Sequence, residues 1–391
     1  RPLAENNEQS LSGIDLEKIV AVVHLATAIR EHGHLAARLD PLGRESRGDP
    51  SLELSTYRLT EQDLQQLPAN LAGGPVAEKA RNAREAIEAL REIYSSTTGY
   101  DYDHVHSPME REWLRHAAES RKFRSHNPLE ATELLEILTK VEVFERFLHR
   151  IFPGKTRFSL EGLDMMVPIL DEALGASAES GMTHVLIGMA HRGRLNVLAH
   201  ILGKSYMQLL AEFKDPVGKT HFEDDLGWTG DVKYHAGARR NFREGASMNL
   251  IVSMAPNPSH LEFVNPVVEG MARAAGTHVD HRGGPKFNHR VTLPILIHGD
   301  AAFPGQGIVA ETLNLSRIHG YRTGGTIHLI ANNQLGFTTL PDAGRSTLYA
   351  SDIAKGFEVP VIHVNADDPE ACMEAARLAF AYRSEFQKDF L

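Results

Sequence analysis

The sequence is short of several things, and each shortage excludes something. Its 391 residues contain one cysteine, Cys372. A single thiol forms neither an intramolecular disulfide framework nor a CxxC metal site, and such scarcity points to a reducing cytoplasm as the expected location. No apolar run is long enough to span a bilayer, and the opening residues RPLAENNEQ have no apolar signal-peptide core, so no membrane partner is expected. There is no basic block. The 41 Lys and Arg are outnumbered by 51 Asp and Glu, and the net charge of -10 is spread along the chain, which argues against nucleic acid as a partner. Internal repeats and low-complexity tracts are also missing. The rest of the composition is that of an ordinary globular chain, 42% hydrophobic and 24% charged, long enough for two or three domains. The unusual abundance is histidine, with 21 residues. Histidine serves proton transfer, phosphate contacts and metal binding, so its positions carry information.

Residues 1–150 read as a helical domain. Asp15 is placed to cap a helix with Ile19, Val22, Val23, Ala26 and Ile29 on its apolar side. Thr60 and Asp63 frame a capping box. Residues 76–94 and 128–151 carry further apolar residues at helical spacing, and Pro68, Gly73-Gly74-Pro75 and Pro108 punctuate the segments.

After Phe152-Pro153-Gly154 the pattern changes, and residues 151–391 read as an α/β domain. Strands are expected at His184–Met189, Asn249–Met254, Leu293–His298, Thr326–Ala331 and Val359–Val364. Helices are expected over 162–175, 193–213, 260–275, 307–319 and 369–386. Runs such as VTLPILIHGD are apolar on both faces, as parallel strands must be. The alternation implies an open, mostly parallel sheet with helices on both faces, an architecture that binds ligands at the carboxyl ends of its strands. The polar clusters fall at those ends: His191-Arg192-Gly193-Arg194, Pro256 to His260, Gly299-Asp300 and Asn332-Asn333.

Two of these clusters belong together. Gly299-Asp300 and Asn332-Asn333 each close an apolar strand, with one helix between them. A right-handed crossover brings two such strands near each other in one sheet. Asp300 and Asn333 then converge, and both are hard oxygen ligands of the kind magnesium takes, completing its octahedron with phosphate and water. Gly299 permits close backbone approach, and a helix starting near Gly305-Gln306-Gly307 aims its first amides at an anion.

This layout resembles the thiamine-diphosphate motif, GDG followed some thirty residues later by NN. Ala301 stands at the third position, as in the GDAAF…NNQ-G-FTT form of 2-oxoglutarate dehydrogenases, whose decarboxylating first components the chain resembles. RFSLEGLD (Arg157–Asp164), GMAHRGRLNVL (Gly188–Leu198), GDVKYH (Gly230–His235) and NPSHLEFVNPVVEG (Asn257–Gly270) resemble further blocks of that family, in the same order. GHLAARLDPLG (Gly33–Gly43) and HSPMEREWL (His106–Leu114) do so in the helical segment. The resemblance implies a transketolase-like fold and thiamine diphosphate and magnesium as cofactors. It implies magnesium on Asp300, Asn333 and the backbone carbonyl of Leu335. Cofactor contacts are implied for Arg192, Ser259, His298, Gly299, Asp300, Ala301 and Asn333. His191 and His235 are the implied catalytic residues, beside one another near the distal carboxylate of 2-oxoglutarate.

The residues also admit plainer readings. His191 could cap the following helix, His235 could sit in a hairpin, and Ser259 is a natural N-cap. His298 could face either the cofactor or the sheet. Arg239 and Arg240 read as loop arginines, and His278, His281 and His289 as solvated. Glu161 and Asp164 read as helix-start carboxylates, and Asn365, Asp367 and Asp368 as caps of the last helix. The implied partners are a lipoyl-bearing succinyltransferase and a second copy of the chain. The family's pyrimidine-binding domain, with its essential glutamate, is expected to lie beyond Leu391, so residues 1–391 alone are expected to be inactive. A pyruvate dehydrogenase or transketolase relative, and a non-catalytic phosphate-binding module, are the competing readings.

Overall fold

The computed structural model describes residues 16–125, 127–213, 233–244, 248–280 and 282–391. Asp15, His281 and the Gly230–Val232 part of the GDVKYH block lie outside these. Two compact units are present, Arg1–Asp103 with Glu112–Lys122, and His104–Arg111 with Phe123–Leu391. Among the described residues no helix is long and apolar enough to cross a membrane.

The first unit is helical. Helix Leu16–His32 buries Val22, Leu25, Ala26 and Ile29, and helix Ala83–Tyr94 buries Ile87, Leu90 and Tyr94. Thr60 accepts the Asp63 N–H at 3.2 Å, and Asp63 accepts the Thr60 N–H at 2.9 Å, closing the capping box. The helix expected over 76–94 is two, Gly74–Lys79 and Ala83–Tyr94. Asn82 divides them by capping the second, accepting from the Glu85 N–H at 3.1 Å. The Arg30 guanidinium is neutralised by Glu119 at 2.6 Å and also donates to the carbonyls of Ala72 and Gly73.

The second unit is an α/β sheet domain. The five-stranded sheet runs Ala238–Glu244, Met248–Met254, His184–Met189, Thr292–Gly299, Ile327–Ala331. The last four are mutually parallel, and the first is an antiparallel edge. Thr292–Gly299 is buried at every position but its last, as a strand covered on both faces must be. Register aligns the carboxyl ends: Ile187 pairs with Met254, Met189 with Ile297, and Gly299 with Ala331. Helix Pro128–Ile151 lies in this unit rather than with the helical one. Its Val141, Phe144 and Leu148 share a core with Leu160, Val167, Leu170, Val185 and Ile187. The division therefore falls near residue 123 and not at 150.

Other elements differ locally from the sequence expectation. Ala238–Glu244 is a strand, not a loop. Arg239 and Asn241 are exposed while Arg240 and Phe242 are half-buried, a period of two hidden by the charges that suit an exposed edge. The helix expected over 193–213 is broken into Arg194–Asn196, a π-turn Val197–Ile201, and Tyr206–Ala211 capped by Ser205. The helix expected from 260 starts at Val264. The expected strand Val359–Val364 is observed as Val361–Val364, outside the five-stranded sheet. Phe390 and Leu391 fill the gap: Phe390 exchanges backbone hydrogen bonds with Thr326 and His328, and Leu391 with Pro360 and Ile362. Helix Pro369–Phe386 has the expected bounds, and Asp368 caps it by accepting the Ala371 N–H at 3.0 Å.

Candidate functional site

The parallel strands deliver their polar clusters to one edge of the sheet. Because Gly299 pairs with Ala331, Asp300 and Asn333 emerge side by side. Asp300 is buried. Oriented by its neighbours, the Asn333 amide nitrogen donates to Asp300 Oδ1 at 3.2 Å, and its oxygen accepts from both Nε and Nη2 of Arg192 at 3.2 Å. Arg192 also donates through Nη1 to the Ser159 carbonyl at 2.8 Å. Burial raises the Asp300 carboxyl above the ordinary carboxylate range, opposed by the charges of Arg345 and Arg192. Gln334 at φ 56° folds the chain back between Asn333 and Leu335, whose side chain is exposed. Ala301 is exposed, and a Cβ at Gly336 would stand 3.0 Å from its own, so the two loops lie close.

The histidine pair forms a second group. The His191 ring stacks on Phe158 with centroids 4.9 Å apart and meets His235 edge-on at 5.0 Å. Tyr234 is buried beside them, and its hydroxyl accepts the Phe158 N–H at 3.2 Å. His235 Nδ1 donates to the Asn257 carbonyl, and its own carbonyl accepts the Asn257 N–H at 3.0 Å. That places a proton on Nδ1, so Nε2 accepts in the neutral ring and donates in the imidazolium. The Asn257 side chain is buried, with neither amide atom hydrogen-bonded.

Gly193 makes the tight turn after Arg192. It takes φ +75°, and a Cβ there would overlap Met166 Cε. Glu145, from helix Pro128–Ile151, accepts the Leu160 N–H at 3.1 Å and the Asn196 amide at 2.7 Å, bracing both sides of the His191–Arg192 turn. Arg194 and Glu145 are supports that sequence reasoning missed. Their only sequence signal was membership of a polar turn and of an amphipathic helix.

One expected cofactor contact, His298, and the N-cap reading of Ser259 are not what the structure shows. His298 is buried and both its ring nitrogens are engaged, Nδ1 with Glu262 Oε2 at 2.6 Å and Nε2 with His328 Nδ1 at 3.0 Å. Burial lowers its pKa, so the neutral ring donates from Nδ1 to the carboxylate and accepts from His328. No nitrogen remains for a diphosphate, and His298 faces the sheet. Ser259 is exposed and caps nothing, since helix Val264–Ala275 begins five residues later with Phe263 at its N-cap. Arg240 donates to the Ile201 carbonyl at 3.0 Å and stacks on Phe242, which ties it to the edge strand.

The groups at the sheet edge fit a hard cation and an anion. Two oxygen ligands at adjacent corners of a magnesium octahedron stand about 3 Å apart, close to the 3.2 Å between Asp300 and Asn333. For the amide to ligate, its oxygen has to leave Arg192 and turn toward Asp300. Arg192 and Arg345 supply positive charge beside that position, and Arg345 Nε is buried without a partner. An open, mostly parallel sheet whose carboxyl edge gathers a carboxylate, an amide and two guanidinium groups defines a class of α/β architecture suited to a metal-bound phosphate ligand.

Comparison with known proteins narrows that class. A family model described as "Dehydrogenase E1 component" matches residues 161–391. The chain is 50% identical over 383 residues to a protein of Bacillus velezensis named 2-oxoglutarate dehydrogenase E1 component, covering 96% of the chain and 41% of that relative. Proteins of the same name from Bacillus subtilis (49% identity, covering 96% of the chain and 41% of the relative) and a Geobacillus species (52%, covering 96% and 40%) are similar. The chain belongs to the dehydrogenase E1 component family. It spans about two fifths of the length of these curated relatives.

Proposed function

We propose that the chain is the diphosphate-binding part of an E1 component that decarboxylates 2-oxoglutarate and passes the succinyl group to a lipoyl-bearing succinyltransferase. On this reading it works in the cytoplasm as a homodimer with thiamine diphosphate and magnesium. The observation that carries the reading is the convergence of Asp300, Asn333 and Arg192 at the end of the paired strands. Asp300, Asn333 and the Leu335 carbonyl would hold magnesium. Arg192, with the backbone of Gly299 and Ala301 and the exposed Ser259 hydroxyl, would meet the diphosphate. Thiamine diphosphate supplies the electron sink that a 2-oxo acid needs to lose carbon dioxide.

The rest of the work falls to this chain's own groups. Arg192 holds the Asn333 oxygen by charge-assisted hydrogen bonds in the free site and would release it when the amide turns to the metal. His298 acts as a positioning residue, tying the strand end before Asp300 to Glu262. His191 and His235 form a polar wall held by Phe158, Tyr234 and Asn257. A dicarboxylate substrate brings a far carboxylate that is costly to bury without donors or positive charge, and these histidines are placed to supply them.

The test is 2-oxo acid-dependent reduction of an artificial electron acceptor by the full-length protein. Turnover with 2-oxoglutarate is expected to exceed turnover with pyruvate, and the reverse preference would overturn the substrate assignment. His235→Ala is expected to raise KM for 2-oxoglutarate on the order of 10- to 100-fold, the loss of one hydrogen bond to a charged group. It should change KM for pyruvate much less. Equal losses on both would place His235 with the cofactor or the fold instead.

A further inference from the structure

Arg345 is a half-buried cation short of an anion. It lies just past the short helix Pro341–Gly344, in the loop that follows Asn333, and its side chain is 11% exposed. Its Nη1 stands 3.6 Å from Asp300 Oδ2, a loose ion pair, and its Nε is buried with no hydrogen-bond partner. A guanidinium offers five N–H donors in a planar fork, and burying one with so few of them satisfied is costly. Arg30 shows the contrast within this chain, since its fork meets Glu119 and two carbonyls. Arg345 therefore carries unused donor capacity beside Asp300, which Asn333 contacts in turn and on which Arg192 acts.

The same carboxylate cannot serve a close guanidinium and a metal ion equally well. A divalent cation held by Asp300 removes the negative charge that keeps Arg345 there. It also brings the phosphate oxygens with which magnesium completes its octahedron. A fork freed from Asp300 and already short of partners has those oxygens within its neighbourhood, and bidentate contact with phosphate is what a guanidinium does best.

We propose that Arg345 is an exchanging cation of this site: it pairs with Asp300 when no metal is bound and turns its fork to the diphosphate when metal takes the carboxylate. The proposal rests on the reading of Asp300 as a metal ligand. Its consequence is that Arg345 opposes the metal alone and favours the metal together with diphosphate, so that the site discriminates against a bare cation.

The experiment compares the full-length protein with Arg345→Met and Arg345→Lys in two titrations. In the first, manganese is added without cofactor and free ion is read by electron paramagnetic resonance. In the second, thiamine diphosphate is added at saturating magnesium and followed by calorimetry. Arg345→Met is expected to bind manganese alone roughly 2- to 5-fold more tightly, the worth of one loose ion pair. It is expected to bind thiamine diphosphate on the order of 10- to 100-fold more weakly, with Arg345→Lys intermediate. Parallel weakening of both ligands together with a lowered unfolding midpoint would assign Arg345 to the fold and overturn the proposal. Unchanged affinities for both would overturn it as well. Asp300→Ala in the same titrations separates the two levels. If it leaves both affinities intact, the metal reading itself fails. If it abolishes them while Arg345→Met shows no opposite shifts, only the role of Arg345 falls.

Discussion

Asp300→Ala in the full-length protein is expected to abolish magnesium-dependent binding of thiamine diphosphate while leaving the fold in place. The carboxylate is buried, yet its partners are weak for a buried charge, with Arg345 at 3.6 Å and the Asn333 amide at 3.2 Å. A side chain so poorly compensated contributes little to stability, because the desolvation penalty offsets most of the Coulombic gain. Its removal should therefore move the unfolding midpoint slightly. Binding is another matter. Loss of a residue that merely orients a metal ligand costs about 10- to 100-fold in metal affinity, and loss of the charged ligand itself should exceed that. Without the metal, the diphosphate would face the site with only Arg192 and Arg345 to neutralise it. Calorimetric titration with cofactor, at fixed magnesium, checks the prediction. An affinity equal to that of the wild-type protein would end the assignment of Asp300 to the metal.

The convergence of Asp300 and Asn333 was legible in the sequence because it depends on strand ends. An apolar run followed by Gly299-Asp300, and a second followed by Asn332-Asn333, become neighbours through a parallel pairing that sequence periodicity can anticipate. The pairing of Gly299 with Ala331 then does the rest. The His191 and His235 pair was legible through resemblance to the dehydrogenase blocks, and the structure does bring the two rings together. What escaped sequence reasoning is what depends on contacts between distant segments. His298 looked like a strand-end histidine open to the cofactor, but its environment is set by Glu262 and His328 on other elements. Ser259 matched an N-cap by residue type, yet the helix starts later. The edge strand Ala238–Glu244 alternates in burial but not in polarity, so hydrophobic periodicity could not reveal it. Helix Pro128–Ile151 shows an apolar face in the sequence, and nothing in that face says which core it will enter.

Arg194 is the largest such omission, and its replacement should be among the most damaging in the domain. The side chain is fully buried. It donates from Nη1 to the Met189 carbonyl at 2.9 Å, and from Nη2 to the carbonyls of Ala236 at 2.7 Å and Ala255 at 2.8 Å. Met189 ends one parallel strand, Ala255 directly follows the end of the next, and Ala236 directly follows His235. One guanidinium thus joins the segments that carry His191, His235 and Asn257. Burial pulls its pKa down to about 10, so it remains a cation at neutral pH, its charge spread over carbonyl dipoles. Arg194→Met fills much of the volume but leaves three carbonyls without this donor in a site that water reaches poorly. A buried acceptor left unpaired costs about 1–3 kcal/mol, and losses within one network do not simply add, so a total of about 3–5 kcal/mol is expected. Arg194→Lys restores a charge but not the planar fork, and it should recover only part of the loss. Denaturant unfolding of the full-length protein, followed by a probe in the sheet domain, reads the stability term. KM for 2-oxoglutarate in Arg194→Lys reads the positional one, because the chain around His235 loses one of its ties. An unfolding midpoint for Arg194→Met within about 0.5 kcal/mol of wild type, the range of ordinary surface substitutions, would show that the three carbonyls find other donors and that Arg194 does not hold these segments together.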